Sequence, residues 1–198
     1  MLKIAVLVSG GGTNLQALID AQEAGKNPNG RIALVVSSNS KAYALERARQ
    51  HGIETAVLPR RKYASNEDYD QGLLALMQEH EIDLIVLAGF MCILGSTFTR
   101  AYDRKIVNVH PSLIPSFCGD GFYGLHVHEA ALAYGVKVTG ATVHFVNEVT
   151  DGGQIIMQKA VEVLPDDTPE TLQRRVMEQA EWEILPRTVA MICSGEIK

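Results

Sequence analysis

The first half of the chain alternates short apolar runs with longer segments whose apolar residues recur at helical spacing. The apolar runs predict strands at residues 2–8, 32–36, 55–58 and 83–87, and the periodic segments predict helices that follow Gly12 and span 42–51 and 67–79. Regular alternation of strand and helix indicates a mostly parallel sheet. Residues 4–8 and 84–87 are all apolar, as expected of central strands that helices cover on both faces.

The pattern changes after a fifth predicted strand, because proline and glycine then interrupt the regular elements. The later predicted elements are a strand at 106–109, a long loop at 112–124, a helix at 127–133, strands at 136–146 and 154–163, and a helix at 169–193. The two late strands favour an antiparallel pair. Thr168 is the predicted N-cap of the last helix, Pro169 its first residue, and Pro186 is expected to end or kink it. The sequence therefore predicts a single Rossmann-like α/β domain over residues 1–198, with a mostly parallel twisted sheet, helices on both faces and an antiparallel C-terminal strand pair.

Composition and charge narrow the possible functions. The 198 residues are 46% hydrophobic and 21% charged, which is ordinary for a globular domain. No apolar run near the N-terminus approaches the ~20 residues of a membrane-spanning helix, so we expect a cytoplasmic protein without a membrane partner. A formal net charge of −5 argues against nucleic-acid binding. The cysteines Cys92, Cys118 and Cys193 lie far apart, so we expect free thiols and no zinc site.

Residues 10–12 are three consecutive glycines between the first strand and the first helix. Glycine permits positive φ and close approach of the backbone, and a helix N-terminus presents unpaired N–H groups, so this loop predicts an anion site. Thr13 and Asn14 add further donors, although either residue can instead be a simple N-cap. Leu15 occupies the third glycine of the dinucleotide pattern, and no acid follows the second strand. A phosphomonoester on a small substrate fits the loop better than a dinucleotide.

A polar pair ends the fifth predicted strand. Asn108 and His110 are two residues apart, so their side chains point to the same face, at the edge where open α/β folds place ligands. A histidine beside an amide and a carboxylate suits acyl transfer. Asp151, in the connection between the last two strands, is the best candidate for the carboxylate. In the alternative interpretation both polar side chains only bond to neighbouring loops.

Four segments together resemble a known family. They are Ser9-Gly10-Gly11-Gly12-Thr13-Asn14-Leu15-Gln16, Leu87-Ala88-Gly89-Phe90-Met91, Asn108-Val109-His110-Pro111-Ser112-Leu113 and Asp151-Gly152-Gly153. Their order and spacing closely resemble those of the phosphoribosylglycinamide formyltransferase family of purine biosynthesis.

The resemblance implies the formyltransferase fold and transfer of a formyl group from the co-substrate 10-formyltetrahydrofolate to glycinamide ribonucleotide, without a metal. It implies these two small molecules as partners and a monomer or homodimer. We expect neither the C-terminal domain of relatives that formylate methionyl-tRNA nor the N-terminal domain of formyltetrahydrofolate deformylases.

The resemblance also implies roles for individual residues. The catalytic residues are Asn108, His110 and Asp151; the substrate-binding residues are Gly11, Gly12, Thr13, Asn14 and Glu181; the folate-binding residues are Met91, Cys92, Ile93 and Leu94, together with Asn108 and Asp151. A phosphate-binding half then spans about residues 1–100, and a folate-binding and catalytic half spans about 101–198. The basic run Arg60-Arg61-Lys62 either contacts the glutamate tail of the folate or is a solvated patch.

The implied mechanism passes through a tetrahedral intermediate. Asn108 donates to the formyl oxygen, and His110, whose pKa we expect Asp151 to raise, gives a proton to the leaving nitrogen. The glycine-containing loop at residues 116–124 is expected to close over the formyl group. His144 is expected to be structural, and His126 either faces the site or lies at the surface. Three other functions are possible: a hydrolase of 10-formyltetrahydrofolate, a Rossmann-type oxidoreductase and a non-catalytic nucleotide-binding regulator.

Overall fold

The seven predicted strands form one sheet in the computed structural model of the protein, which describes residues 1–197. The strands are β1 (Leu2–Val8), β2 (Gly30–Ser37), β3 (Glu54–Val57), β4 (Leu84–Leu87), β5 (Ile106–His110), β6 (Val138–Phe145) and β7 (Ile155–Glu162). Their order is β3-β2-β1-β4-β5-β6-β7. The first five strands are mutually parallel, whereas β6 is antiparallel to both β5 and β7. The predicted fold class and the antiparallel C-terminal pair are confirmed.

In the described part of the chain, seven α-helices surround the sheet. They are α1 (Thr13–Glu23), α2 (Tyr43–Gln50), α3 (Asn66–Glu79), α4 (Ser96–Ala101), α5 (Leu125–Tyr134), α6 (Pro169–Val176) and α7 (Trp182–Ser194). Side chains of β1 alternate between two buried clusters, with Ile4 and Val6 in one and Ala5 and Leu7 in the other. The central strands are therefore covered on both faces, as their apolar composition predicts. Within residues 1–197, no helix is both long and apolar enough to cross a bilayer.

Helix α4 was not predicted from the sequence pattern. It is short, and its first turn is fixed by a distant carboxylate rather than by a local cap. Buried Asp70 of α3 accepts hydrogen bonds from the Gly95 N–H at 3.0 Å and the Phe98 N–H at 3.2 Å. Because Asp70 and Gly95 are far apart in the chain, no short stretch of sequence marks the start of α4.

The C-terminal helical region begins as predicted and continues differently. Thr168 is the N-cap of α6, in a capping box with Thr171, and Pro169 is the first helical residue. A π-helical segment, Met177–Glu181, then separates α6 from α7. Pro186 does not end the helix, because α7 continues through it to Ser194; the alternative, a kink at Pro186, stays a prediction. The regular α-helical hydrogen bonding is interrupted instead by this π-helical segment, a wide turn that precedes α7.

The loops that follow β1 and β4 meet at one edge of the sheet. The N–H of Ser9 donates to the carbonyl of Gly89 at 3.1 Å, and the N–H of Met91 donates to Ser9 Oγ at 2.9 Å. Because β1 lies between β2 and β4, the sheet changes its direction of winding at this point, where open α/β folds bind ligands. The sheet topology thus places the glycine loop beside residues 88–95.

Candidate active site

Strand pairing brings an amide and an imidazole together on β5 and β6. Asn108 lies opposite His144 in the antiparallel register, and Asn108 Nδ2 donates to His144 Nε2 at 3.2 Å. The other ring nitrogen, Nδ1, donates to the carbonyl of Phe145 at 2.8 Å. Two residues beyond Asn108, His110 is buried and donates from Nε2 to the carbonyl of Phe117 at 2.8 Å.

Asp151 approaches both imidazoles from the β6–β7 connection. Its Oδ2 lies 3.5 Å from His110 Nδ1, and its Oδ1 lies 3.6 Å from His144 Nε2. The N–H of Gly119 also donates to Oδ2, at 2.9 Å. Gly153 makes the approach of this connection possible, since a Cβ there would lie 1.7 Å from the carbonyl oxygen of Phe145. The structure therefore brings Asn108, His110 and Asp151 into one cluster, as predicted.

Burial has the largest effect on the pKa of His110. The low-polarity surroundings lower the pKa of His110, and this effect outweighs the opposing charge of Asp151. Asp151 does favour a higher pKa of His110, as expected, but the expectation that this pKa is raised overall is wrong, because the sequence does not show how deeply the ring is buried. For Asp151, burial favours a higher pKa, but the adjacent His144 ring, the hydrogen bond from the Gly119 N–H and the charge of His110 lower it overall.

His144 belongs to the cluster, which sequence reasoning missed. It is hydrogen-bonded, as predicted of a structural histidine, but its ring contacts Asn108 and faces Asp151. Its position opposite Asn108 depends on the antiparallel pairing of β5 with β6, which the sequence pattern did not predict. His126 lies at the surface and pairs with Glu129 at 3.0 Å. His128 is fully buried, and burial together with nearby His110 lowers its pKa to about 4.

The cluster opens into a cavity of about 590 Å³. Its wall includes all four predicted folate-binding residues of the β4–α4 loop, Met91, Cys92, Ile93 and Leu94. Leu94 is buried, whereas the large apolar side chains of Met91, Ile93, Tyr123 and Val149 are exposed around the cavity. Exposed apolar side chains around a concave site with a few polar groups are typical of a small-molecule site. Within residues 1–197, no group of three or more His, Cys, Asp or Glu side chains is placed to hold a metal ion.

The glycine loop begins α1 without a side-chain cap. Gly12 is the N-cap and has a left-handed φ of 75°, and a Cβ on it would lie 2.6 Å from the Cβ of Ala44. The alternative in which Thr13 or Asn14 caps the helix is therefore wrong. A Cβ on Gly11 would meet nothing within 4 Å. The first N–H groups of α1 thus remain without a side-chain acceptor, as an anion site requires.

Asn14 connects the glycine loop to the C-terminal helical region. Its Nδ2 donates to Oε2 of the buried Glu181 at 2.7 Å, although the two residues are far apart in the chain. Burial raises the pKa of Glu181 to about 7, and the bond from Asn14 partly opposes this shift. The Thr13 hydroxyl lies 3.7 Å from the sulfur of Met177.

A larger groove of about 870 Å³ between α1 and α7 also reaches Thr13, but none of the predicted catalytic residues lines it.

An amide, a carboxylate and imidazoles at the edge of an open α/β sheet where its parallel strands end, close to the switch point, are typical of enzymes that transfer acyl groups. The formyl transferase family matches residues 2–189 of the chain. A phosphoribosylglycinamide formyltransferase of Haemophilus influenzae is 42% identical over 198 residues, which cover 100% of this chain and 90% of that protein. The human trifunctional purine biosynthetic protein adenosine-3 is 42% identical over 99% of this chain, which spans only 19% of that protein. A crystal structure of glycinamide ribonucleotide transformylase 1 from Symbiobacterium toebii superposes with a TM-score of 0.92, at 42% identity over 98% of this chain and 89% of that one.

The chain belongs to the formyl transferase family, and the relatives that it matches over most of their length are phosphoribosylglycinamide formyltransferases. The family assignment and the resemblance to these enzymes are confirmed.

Proposed function

We propose that the protein transfers the formyl group of 10-formyltetrahydrofolate to the amino group of glycinamide ribonucleotide in purine biosynthesis. The observation that carries this proposal is the meeting of Asn108, His110 and Asp151 at a cavity surrounded by exposed apolar side chains. The names of the relatives specify the substrate, and the uncapped glycine loop suits its phosphate.

The reaction needs an oxyanion donor. The amine nitrogen attacks the formyl carbon, whose carbonyl oxygen becomes an oxyanion; the bond from this carbon to N10 of the folate then breaks. Asn108 donates one amide N–H to His144 Nε2, which fixes the orientation of the amide and leaves a second N–H for the oxyanion. A preorganised donor of this kind contributes roughly 3 kcal/mol to the stability of the transition state.

The reaction also moves a proton from the attacking amine to the leaving N10. Because burial lowers the pKa of His110, its ring is available to accept the amine proton at Nδ1, which faces Asp151, and then to give the Nε2 proton to N10 once the bond to Phe117 breaks. The carboxylate of Asp151, whose pKa is lowered, stabilises the imidazolium that forms in between. A water held by Asp151 is a second route for the amine proton.

The proposed binding residues divide between the two substrates. The backbone of Gly11 and Gly12 and the side chains of Thr13 and Asn14 hold the phosphate, and Glu181 binds the ribose or amine end of glycinamide ribonucleotide. Met91, Cys92, Ile93 and Leu94 hold the pterin with Asn108 and Asp151. Residues 1–100 thus supply the phosphate site and residues 101–198 the catalytic groups, all within one domain. One chain contains every proposed residue, so the proposal requires no oligomer.

The test mixes the protein with 10-formyltetrahydrofolate, with and without glycinamide ribonucleotide, and measures tetrahydrofolate, formate and formylated ribonucleotide. We expect formylated ribonucleotide in a one-to-one ratio with tetrahydrofolate, only when the ribonucleotide is present. Release of formate without any need for the ribonucleotide would instead make the protein a hydrolase. Absence of turnover by the folded protein would contradict both enzymatic functions.

A further inference from the structure

The proposed pterin-binding residues lie in a loop that has no regular structure of its own. Residues 90–95 of the β4–α4 loop belong to neither a helix nor a strand, so no ladder of backbone hydrogen bonds holds them in place. Leu94 is buried, but Met91 and Ile93 are exposed, so side-chain packing holds the loop only in part. The shape of the loop therefore depends on other parts of the chain that bind its backbone.

Two contacts bind the backbone of the loop at its ends. At the start, Ser9 Oγ accepts from the N–H of Met91 at 2.9 Å. At the end, Asp70 of α3 accepts from the N–H of Gly95 at 3.0 Å and from the N–H of Phe98 at 3.2 Å, with one carboxylate oxygen for each. Because the donors are backbone groups, these bonds fix the path of the chain between the two ends.

The Asp70 carboxylate is matched to its two donors. Its side chain is buried, and among residues 1–197 no lysine, arginine or histidine forms an ion pair with it. Burying a carboxylate without a cation is costly, and hydrogen bonds from backbone N–H groups offset this cost. Gly95 leaves the space that the carboxylate occupies, because a Cβ there would lie 2.4 Å from Oδ2. Asp70 therefore stabilises one position of the end of the loop.

We infer that Asp70 is a positioning residue for the folate co-substrate, because it fixes the backbone of residues 91–94 in the shape that binds the pterin. This inference rests on the proposed function. The pterin is a flat ring whose edge carries hydrogen-bond donors and acceptors at fixed spacing, so the groups that bind it must be held to within about 0.5 Å. Asp70 does not line the folate cavity, so it acts on the folate through the loop.

Two variants disturb this contact from opposite sides. Asp70→Asn turns an amide N–H toward a backbone N–H, and the Cβ of Gly95→Ala displaces Oδ2. We expect each to raise the KM for 10-formyltetrahydrofolate about 10-fold, the size of one hydrogen bond to a charged group. The KM for glycinamide ribonucleotide and kcat are expected to change less than about 2-fold. Because both changes act on one contact, the double variant is expected to raise the folate KM no further than the more affected single variant.

Thr97→Ala is the matched control. It removes a different hydrogen bond between α3 and α4, from Thr97 Oγ1 to Glu67 Oε2 at 2.7 Å, and leaves the backbone of the loop untouched. We expect this variant to retain the wild-type KM for the folate. If it raised that KM as much as Asp70→Asn does, the effect would come from general packing between the helices and the inference would be wrong.

Equilibrium dialysis with non-reacting pteroylmonoglutamate, and with p-aminobenzoylglutamate, which lacks the pterin, tests the inference without turnover. We expect Asp70→Asn and Gly95→Ala to weaken binding of the first compound only. Unchanged binding by the folded variants, or an equal loss for both compounds, would overturn the inference and leave the formyl transfer intact. If Asp70→Asn does not fold, Gly95→Ala alone decides. Release of formate without the ribonucleotide would instead overturn the proposed function, while the pterin-specific loss would still support the role of Asp70.

Discussion

Asp151 has a backbone conformation that few side chains adopt. Its φ is +53°, in the left-handed region, which aspartate tolerates better than most residues because its short side chain can bond locally. Such a conformation costs of order 1–3 kcal/mol and persists only where the surroundings fix it. Here Gly119 and two imidazoles surround the carboxylate, so the strained residue is held in the position from which it contacts both histidines.

Replacing Asp151 with asparagine tests the charge of this residue while retaining its shape. We expect Asp151→Asn to lower kcat by about 10²-fold or more, the usual scale of acid–base assistance, and to change both KM values little. The imidazolium of His110 would lose its stabilising carboxylate. Steady-state kinetics with both substrates measure the effect, and Asp103→Asn, at an exposed site, is the control. A kcat near the wild-type value would contradict the proposed role of Asp151.

Glu181 makes the stability of the protein depend on pH. Burial raises its pKa from 4.5 to about 7, so below pH 4.5 the carboxyl is neutral in both the folded and the unfolded chain. As pH rises from 4.5 to 7, the unfolded chain releases this proton while the folded protein retains it, and the contribution to folding stability is lost. Above pH 7 both states are ionised, and the loss stays constant.

The variant Glu181→Gln removes this pH dependence and keeps an oxygen for Asn14. We expect the free energy of unfolding of the wild type to fall relative to the variant by about 3 kcal/mol between pH 4.5 and 8. Urea unfolding at several pH values measures the difference. Glu178→Gln, which changes an exposed carboxylate of the same segment, controls for the loss of one negative charge. A difference between wild type and Glu181→Gln that does not vary with pH would show that Glu181 titrates normally.

The residues differ in how far the sequence predicts their roles. Asn108 and His110 follow from the two-residue period of a strand, which is a local rule. Glu181 was assigned by resemblance alone, because its burial and its bond to Asn14 depend on packing between distant elements. The direction of the pKa shift of His110 was predicted wrongly for the same reason, since burial is a property of the folded chain.

Among the elements, α2 holds the glycine loop in shape. The Ala44 N–H donates to the carbonyl of Gly10 at 3.1 Å, and Arg47 Nε donates to the carbonyl of Gly11 at 2.9 Å. Two loop carbonyls are thereby bound to α2, which favours an arrangement in which the N–H groups face the ligand. Arg47 is therefore a positioning residue for the proposed phosphate site.

Removing this contact is expected to weaken phosphate binding. Arg47→Met should raise the KM for glycinamide ribonucleotide about 5- to 10-fold, the cost of one hydrogen bond from a charged donor, with a smaller change in kcat. Arg49→Met is the matched control, because Arg49 lies on the same helix and pairs at the surface with Glu46. Equal KM values for the two variants would remove Arg47 from the phosphate site.

The loop at residues 116–124 is bound to the proposed catalytic residues by its own backbone. The carbonyl of Phe117 accepts from His110 Nε2, and the N–H of Gly119 donates to Asp151. For Nε2 to transfer a proton to the substrate, the bond to Phe117 must break. We expect amide hydrogen exchange of the loop to change when both substrates are bound, while the exchange of β1 stays constant. Equal exchange with and without substrates would argue against a mobile loop.

The sequence predicts elements well where the signal is local. The apolar runs and the Thr168–Pro169 start of α6 are local signals, and each appears close to its predicted position. Helix α4 depends on Asp70, and the wide turn at Met177–Glu181 has no residue pattern that marks it. Those features are set by contacts between elements, which one sequence does not reveal.

At the scale of the whole molecule, the strand order explains how distant segments form one site. β1 and β5 flank β4, so the loops after these three strands lie side by side, while the C-terminal helical region returns to α1. The contact between Asn14 and Glu181 joins the first and last parts of the chain. A ligand held by the glycine loop therefore stabilises a contact that exists only in the fully folded protein.

Thermal unfolding measures this coupling directly. At a concentration of 100 times its Kd, glycinamide ribonucleotide adds about 2.7 kcal/mol of stability, which corresponds to a rise in Tm of about 5–10 °C for a chain of this size. Ribose 5-phosphate is expected to give a smaller rise and glycinamide none, because only the former carries the phosphate. Thr13→Ala/Asn14→Ala should abolish most of the rise, whatever its own Tm, whereas Asn29→Ala, at an exposed site, should retain it. An undiminished rise in the double variant would mean that the phosphate binds away from the glycine loop, since the rise depends on the affinity of the folded protein for the ligand.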